Sequence, residues 1–322
     1  MTDFDTYFQT KPVPAEKPLD WDRYWKAEIQ KLKKVPLDLK VVSKKTSIKK
    51  TRKELNIEYN GINKYRLKAK IFLPYKFLKK TPTLMIFPDY MEDITEYEKF
   101  ADAGFAVFIA CLRGHEESLS VVSESVETAE AGSKEEISES YGYFKENLLE
   151  KSDYYLRNLY LDAYRSMEAL RLQDDISKQK IFILGKGNGS AMALFVQYFM
   201  QRGEKLVLVE PSYSNYSDLA GNNKTTTAKE IKEYIVQHKS KKQEIEKNLK
   251  YFDTVYLTDK LNIPVIMIVD FQNKISYPQG SFALFHSIKS NKDMHIFVEK
   301  PLKNSVKEKN KMVIDLIMQE KN

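Results

Sequence analysis

Ile181 to Ala193 reads IFILGKGNGSAMA. Ile181, Phe182, Ile183 and Leu184 form a short continuous apolar run. Gly185-Lys186-Gly187-Asn188-Gly189 breaks it, and SAMALFVQYFM follows with helix-forming residues. A continuous apolar strand is one buried on both faces, as in a parallel sheet, whereas a half-exposed strand alternates. Gly185 and Gly189 stand two residues either side of Gly187. That is the spacing of a nucleophile elbow, G-x-S-x-G, in which the strand-to-helix turn is too tight for flanking side chains. The middle position here is Gly187.

Working outward, the same rhythm recurs. TLMIF (83–87), FAVFIACL (105–112), KLVLVEP (205–211), IPVIMIVD (263–270) and MHIFVEK (294–300) are further apolar strands. Helical stretches separate them: 96–103, the amphipathic YYLRNLYLDAYRSMEALRL (154–172), FALFHSI, and the closing KEKNKMVIDLIMQE. Upstream, WDRYWKAEIQKL (21–32) carries Trp21, Tyr24, Trp25, Ile29 and Leu32 at helical spacing behind the cap candidate Asp20. Residues 39–74 alternate as strands do, and Asn60-Gly61 is a hairpin signal. The pattern predicts an α/β fold whose central sheet is mostly parallel, with helices on both faces and an antiparallel N-terminal lead-in. No linker or internal repeat divides it, so a single domain over 1–322 is expected. It would comprise an arm and helix (1–38), a long polar loop (114–150) and a charged helical insertion (212–250).

Composition narrows the function classes. Hydrophobic residues make up 42% of the 322 residues, enough for a large core. Lys and Arg exceed Asp and Glu by 52 − 45 = 7, yet the basic residues are scattered among acidic ones, as a solvated surface would be. No RNP, zinc-finger or helix-turn-helix pattern accompanies them, so nucleic acid is not an expected partner. The single cysteine, Cys111, allows no disulfide framework within the chain. The first residues lack the basic and apolar regions of a secretory signal, and no apolar run nears the ~20 residues of a membrane span. A cytoplasmic location without membrane association is expected. No H-E-x-x-H or other close ligand set is present, so neither a metal nor a cofactor is expected.

Beyond the elbow, several stretches are similar to one family. KPLDWDRYW, Arg113-Gly114-His115 after FIACL, the aromatic segment with Tyr154, Tyr155, Arg157 and Asp162 leading into the elbow strand, and Tyr251-Phe252-Asp253 before IPVIMIV together resemble the acetyl xylan esterase and cephalosporin-C deacetylase family of the α/β-hydrolase superfamily. The resemblance runs from about residue 10 to about 300. It implies an α/β-hydrolase fold and a Ser-Asp-His triad, with the positions of those three falling on Gly187, Asn273 and Leu302. It implies an oxyanion hole whose two backbone N–H groups fall on Tyr90 and Asn188. Arg113, His115 and Tyr213 are the pocket candidates. A homo-oligomer is a further expectation from the resemblance.

Three functions remain open. A pseudo-esterase would bind a small ligand, such as an acylated sugar, or serve as a scaffold. Loss of a triad member removes orders of magnitude of rate, and Gly187 offers no atom for an acyl-enzyme. An active deacetylase would need displaced residues: Ser190 as nucleophile, Asp270 as acid and His115, at a strand end, as base, since His238, His286 and His295 read as surface or packing histidines. A dinucleotide-binding protein would use Gly185, Gly187 and Ser190 as an imperfect G-x-G-x-x-G, with Glu210 as the ribose acid. The mid-chain position of that motif and the serine at its third glycine weigh against it.

Overall fold

A computed structural model describes residues 16–46, 52–76, 81–90, 92–114, 142–174, 176–214, 225–271, 278–297 and 305–318. Its strands are β1 (Lys40–Thr46), β2 (Arg52–Asn60), β3 (Arg66–Pro74), β4 (Thr83–Phe87), β5 (Ala106–Cys111), β6 (Ile181–Lys186), β7 (Lys205–Val209), β8 (Val265–Asp270) and β9 (Lys292–Phe297). They join into one sheet in the order β1-β2-β3-β5-β4-β6-β7-β8-β9. The first three strands and the β3–β5 pairing are antiparallel, and every pairing from β5 through β4 to β9 is parallel.

The apolar runs are continuous because both faces of the sheet are covered. Met85 and Phe87 of β4 enter one core, while Leu84 and Ile86 enter the other. The helices are α1 (Trp21–Lys33), α2 (Glu98–Asp102), α3 (Tyr155–Arg171), α4 (Gly189–Met200), α5 (Thr226–Gln237), α6 (Lys242–Leu249), α7 (Pro278–Ser287) and α8 (Ser305–Met318). α1, α3 and α4 contribute to the first core, whereas α2 and α8 contribute to the second. α3 is buried along nearly its whole length. It packs on α4 through Tyr160 and Phe195, whose rings stack with centroids 4.8 Å apart.

α1 is locked onto the segment before β8. The indole N–H groups of Trp21 and Trp25 both donate to the Tyr251 carbonyl, at 2.9 and 3.0 Å. Tyr160 Oη donates to the next carbonyl, Phe252, at 2.7 Å. Arg157 of α3 pairs with Glu28 of α1, and both side chains are buried. Aromatic bulk and buried polar ties here fix a helix that local propensity alone would leave marginal.

One local expectation is corrected. β2 and β3 pair as a hairpin, but the turn is longer than Asn60-Gly61. Asn60 is already opposite Arg66, and Ile62–Lys64 form a short 3-10 turn in which Asn63 and Lys64 adopt positive φ. Gly61 keeps an ordinary φ of −82°. A Cβ there would run into Asp162 Oδ1 and Leu67, so this glycine serves close approach rather than a left-handed turn.

Candidate functional site

The site is built where β4 and β6 end side by side. Their parallel register sets Phe87 opposite Gly185, so the residues following each strand meet at the carboxyl edge of the sheet. β6 passes directly into α4 through Gly187 and Asn188. Gly187 has φ +48°, in the left-handed region that side-chain-bearing residues seldom adopt. Its N–H donates to Val209 O at 2.8 Å. The flanking glycines are required by space. A Cβ on Gly185 would lie 2.5 Å from Ser190 Cα and 2.7 Å from Gly189 O, and one on Gly189 would overlap the carbonyl oxygens of Phe87 and Pro88.

A side chain from β4's exit fills the space over Gly187. A Cβ added to Gly187 would fall inside the carboxyl group of Asp89. Asp89 Oδ1 accepts from the backbone N–H of Tyr90 at 2.7 Å and from that of Asn188 at 2.7 Å. Two backbone donors converging on one oxygen are what stabilises an oxyanion in acyl transfer. Here the oxygen belongs to the chain itself.

Further groups hold Asp89 in place. Glu92 Oε2 accepts from the Asp89 N–H at 2.9 Å and from the Tyr97 hydroxyl at 2.8 Å. The other Glu92 oxygen pairs with Lys186, the residue between Gly185 and Gly187. Burial pushes the Asp89 carboxyl up to about 7, reinforced by Glu92 and opposed by the Asn188 and Tyr90 N–H groups and by Lys186.

Around this corner, Asn188 Oδ1 accepts from Ser212 Oγ at 2.9 Å and Thr227 Oγ1 at 3.1 Å. Tyr90 packs edge-on against Tyr143 and Phe144. Glu230 of α5 holds that roof by accepting from the N–H groups of Gly142 and Phe144 at 3.0 and 2.9 Å.

The structure brings together Gly185, Gly187, Asn188, Gly189 and Tyr90. The Arg113 guanidinium donates to both oxygens of Asp162, at 2.6 and 3.0 Å, and to Ile62 O. Tyr213 is buried, with its ring against Phe144 and its hydroxyl 3.4 Å from Thr227 Oγ1. Asn273, Leu302 and His115 lie outside the described residues. Of the substitutes considered, Ser190 is buried and its hydroxyl donates to Gly185 O at 3.0 Å. His238 stacks on Tyr234, and His295 lies 3.2 Å from Asp293. His286 lies on α7, and Asp270 is buried at the end of β8. Glu210 follows β7 with φ +50°. Among the described residues there is no group of three or more His, Cys, Asp or Glu able to hold a metal ion, and no helix long and apolar enough to cross a membrane.

Sequence reasoning missed Asp89, Glu92 and the inward role of Lys186. The available signal was an acidic residue two positions after the apolar run TLMIF, at the strand end where parallel sheets present their sites.

A family model for acetyl xylan esterase matches residues 2–315. Acetyl xylan esterase 1 from Thermoanaerobacterium sp. JW/SL YS485 superposes with a TM-score of 0.73 at 20% identity, covering 98% of each chain. An acetyl xylan esterase from Paenibacillus sp. R4 gives 0.81 at 16% identity, covering 97% of this chain and 98% of its own. An acylaminoacyl peptidase from Pyrococcus horikoshii gives 0.58 at 12% identity over 84% of this chain and 41% of its own. At these identities the structural likenesses establish the fold, which is α/β-hydrolase-like.

Proposed function

Since this chain belongs to the acetyl xylan esterase family, we propose that it is a member that does not hydrolyse esters and acts by binding a small ligand, such as an acylated sugar, or as a scaffold. The observation that carries this reading is the tip of the turn between β6 and α4. Gly187 has no side-chain oxygen, and the space where one would project is taken by the Asp89 carboxyl group. Acyl transfer needs a nucleophile at the carbonyl carbon and donors for the carbonyl oxygen. Here the first is absent and the second are engaged.

The displaced-residue alternative finds no support in Ser190. Its hydroxyl is turned back onto Gly185 O and buried, so it does not face the corner above Gly187.

The test is turnover of p-nitrophenyl acetate together with labelling by a fluorophosphonate probe. Purified protein is expected to give no turnover above the buffer rate and no label. Gly187→Ser alone is expected to add neither, because the new side chain meets Asp89. Enzyme-like turnover by the wild-type chain would overturn the reading.

A further inference from the structure

We infer that Asp89 is a resident occupant: its carboxyl group fills a two-donor site formed by the backbone N–H groups of Tyr90 and Asn188, so that the corner excludes small carboxylates and ester carbonyls, and a vacated corner would bind a carboxylate such as acetate. The inference deepens the non-hydrolysing reading and rests on the same elbow geometry.

Three observations converge on it. The two N–H groups come from different elements, the exit of β4 and the start of α4, and both reach the same oxygen at 2.7 Å. Convergence of donors on one oxygen from residues 98 apart in the chain is a built site, which a contact local to Asp89 would not make. Second, the occupant is braced. Glu92 accepts from the Asp89 N–H and is itself held by Lys186 and Tyr97. Third, the floor is shaped for the occupant, since any side chain at 187 would overlap the carboxyl group. Asn188 begins α4, so the site also lies at the positive end of a twelve-residue helix. Hydrogen bonds from backbone donors to a carboxylate are charge-assisted and strong. An intramolecular carboxylate already in place outcompetes a dilute external one through its effective concentration.

The amide resonances of Tyr90 and Asn188 read the site directly. In the wild-type protein both amide protons are expected far downfield and unmoved by sodium acetate. In Asp89→Ala both should move upfield, and acetate should return them along a saturable curve, at least about tenfold tighter than any wild-type response, as loss of a charge-assisted contact predicts. Asp89→Asn keeps an oxygen in place and removes the charge. There both amides should stay downfield, ignore acetate, and lose any displacement with pH that they show in the wild type.

Acetate moving the two amides equally in wild type and Asp89→Ala would overturn the inference. So would a folded Asp89→Ala protein that ignores acetate. If Asp89→Ala does not fold, Asp89→Asn decides: amides that still shift with pH as in the wild type would show that Asp89 is not their acceptor. The outcome is independent of turnover, because wild-type ester hydrolysis would end the functional reading while these shifts would still report who fills the site.

Discussion

At the N-terminal buttress, Trp21 and Trp25 share the Tyr251 carbonyl and Arg157 meets Glu28, opposite charge against opposite charge. At the elbow corner a carboxylate, Asp89, sits on two backbone N–H groups, with Glu92 beside it and Lys186 drawn to Glu92. Both regions are held by several hydrogen bonds, yet they differ in what supplies the compensation. The buttress satisfies its charges side chain to side chain and uses aromatic bulk as the main stabiliser. The corner satisfies a charge with backbone dipoles that the turn would present whatever residue stood nearby. The strength of the scaffold and the filling of the corner therefore draw on different groups. Asp162 illustrates the boundary between them. It anchors Arg113 and the β2–β3 turn.

The contrast is breakable. The largest effect is expected at the buttress. Trp25→Ala removes a fully buried indole and one of the two donors to Tyr251 O, and should cost about 4 kcal/mol in urea unfolding. The Tyr90 and Asn188 amide shifts should stay in place. If those shifts move as well, the two regions are not separable.

A smaller effect is expected at the corner. Gly187→Ala forces a Cβ into a left-handed backbone and against Asp89, which should cost roughly 2–3 kcal/mol. In an Asp89→Ala background only the backbone cost remains, about 1 kcal/mol. The double-mutant cycle should therefore show favourable coupling, and strict additivity would remove the claim that Asp89 fills the space over residue 187.

The third effect is a dependence on pH. The Asp89 carboxyl titrates near 3.8 when unfolded and is raised to about 7 in the fold. Between these values the folded state holds a proton that the unfolded state has lost, so this group's contribution favours folding at low pH and is lost as pH rises toward 7. The facing charges, Glu92 and Lys186, are common to wild type and Asp89→Asn. The difference in melting temperature, wild type minus Asp89→Asn, should fall from pH 4 to pH 7 and level off above. A flat difference across that range would mean that the backbone donors outweigh burial at Asp89.

The sequence alone determined the parallel sheet, the antiparallel lead-in and the strand–turn–helix at 181–193, because burial on both faces writes continuous apolar runs and a tight turn demands glycine at 185 and 189. It also showed that no hydroxyl stands at residue 187. The β2–β3 turn is longer than Asn60-Gly61 suggests, since turn length depends on what the turn packs against, here Asp162. Only the tertiary structure decided what occupies the elbow corner. Asp89 and Asn188 are distant in the chain and become neighbours through the pairing of β4 with β6. No local pattern records that pairing, and the direction of one carboxyl group is set by the two N–H groups that meet there.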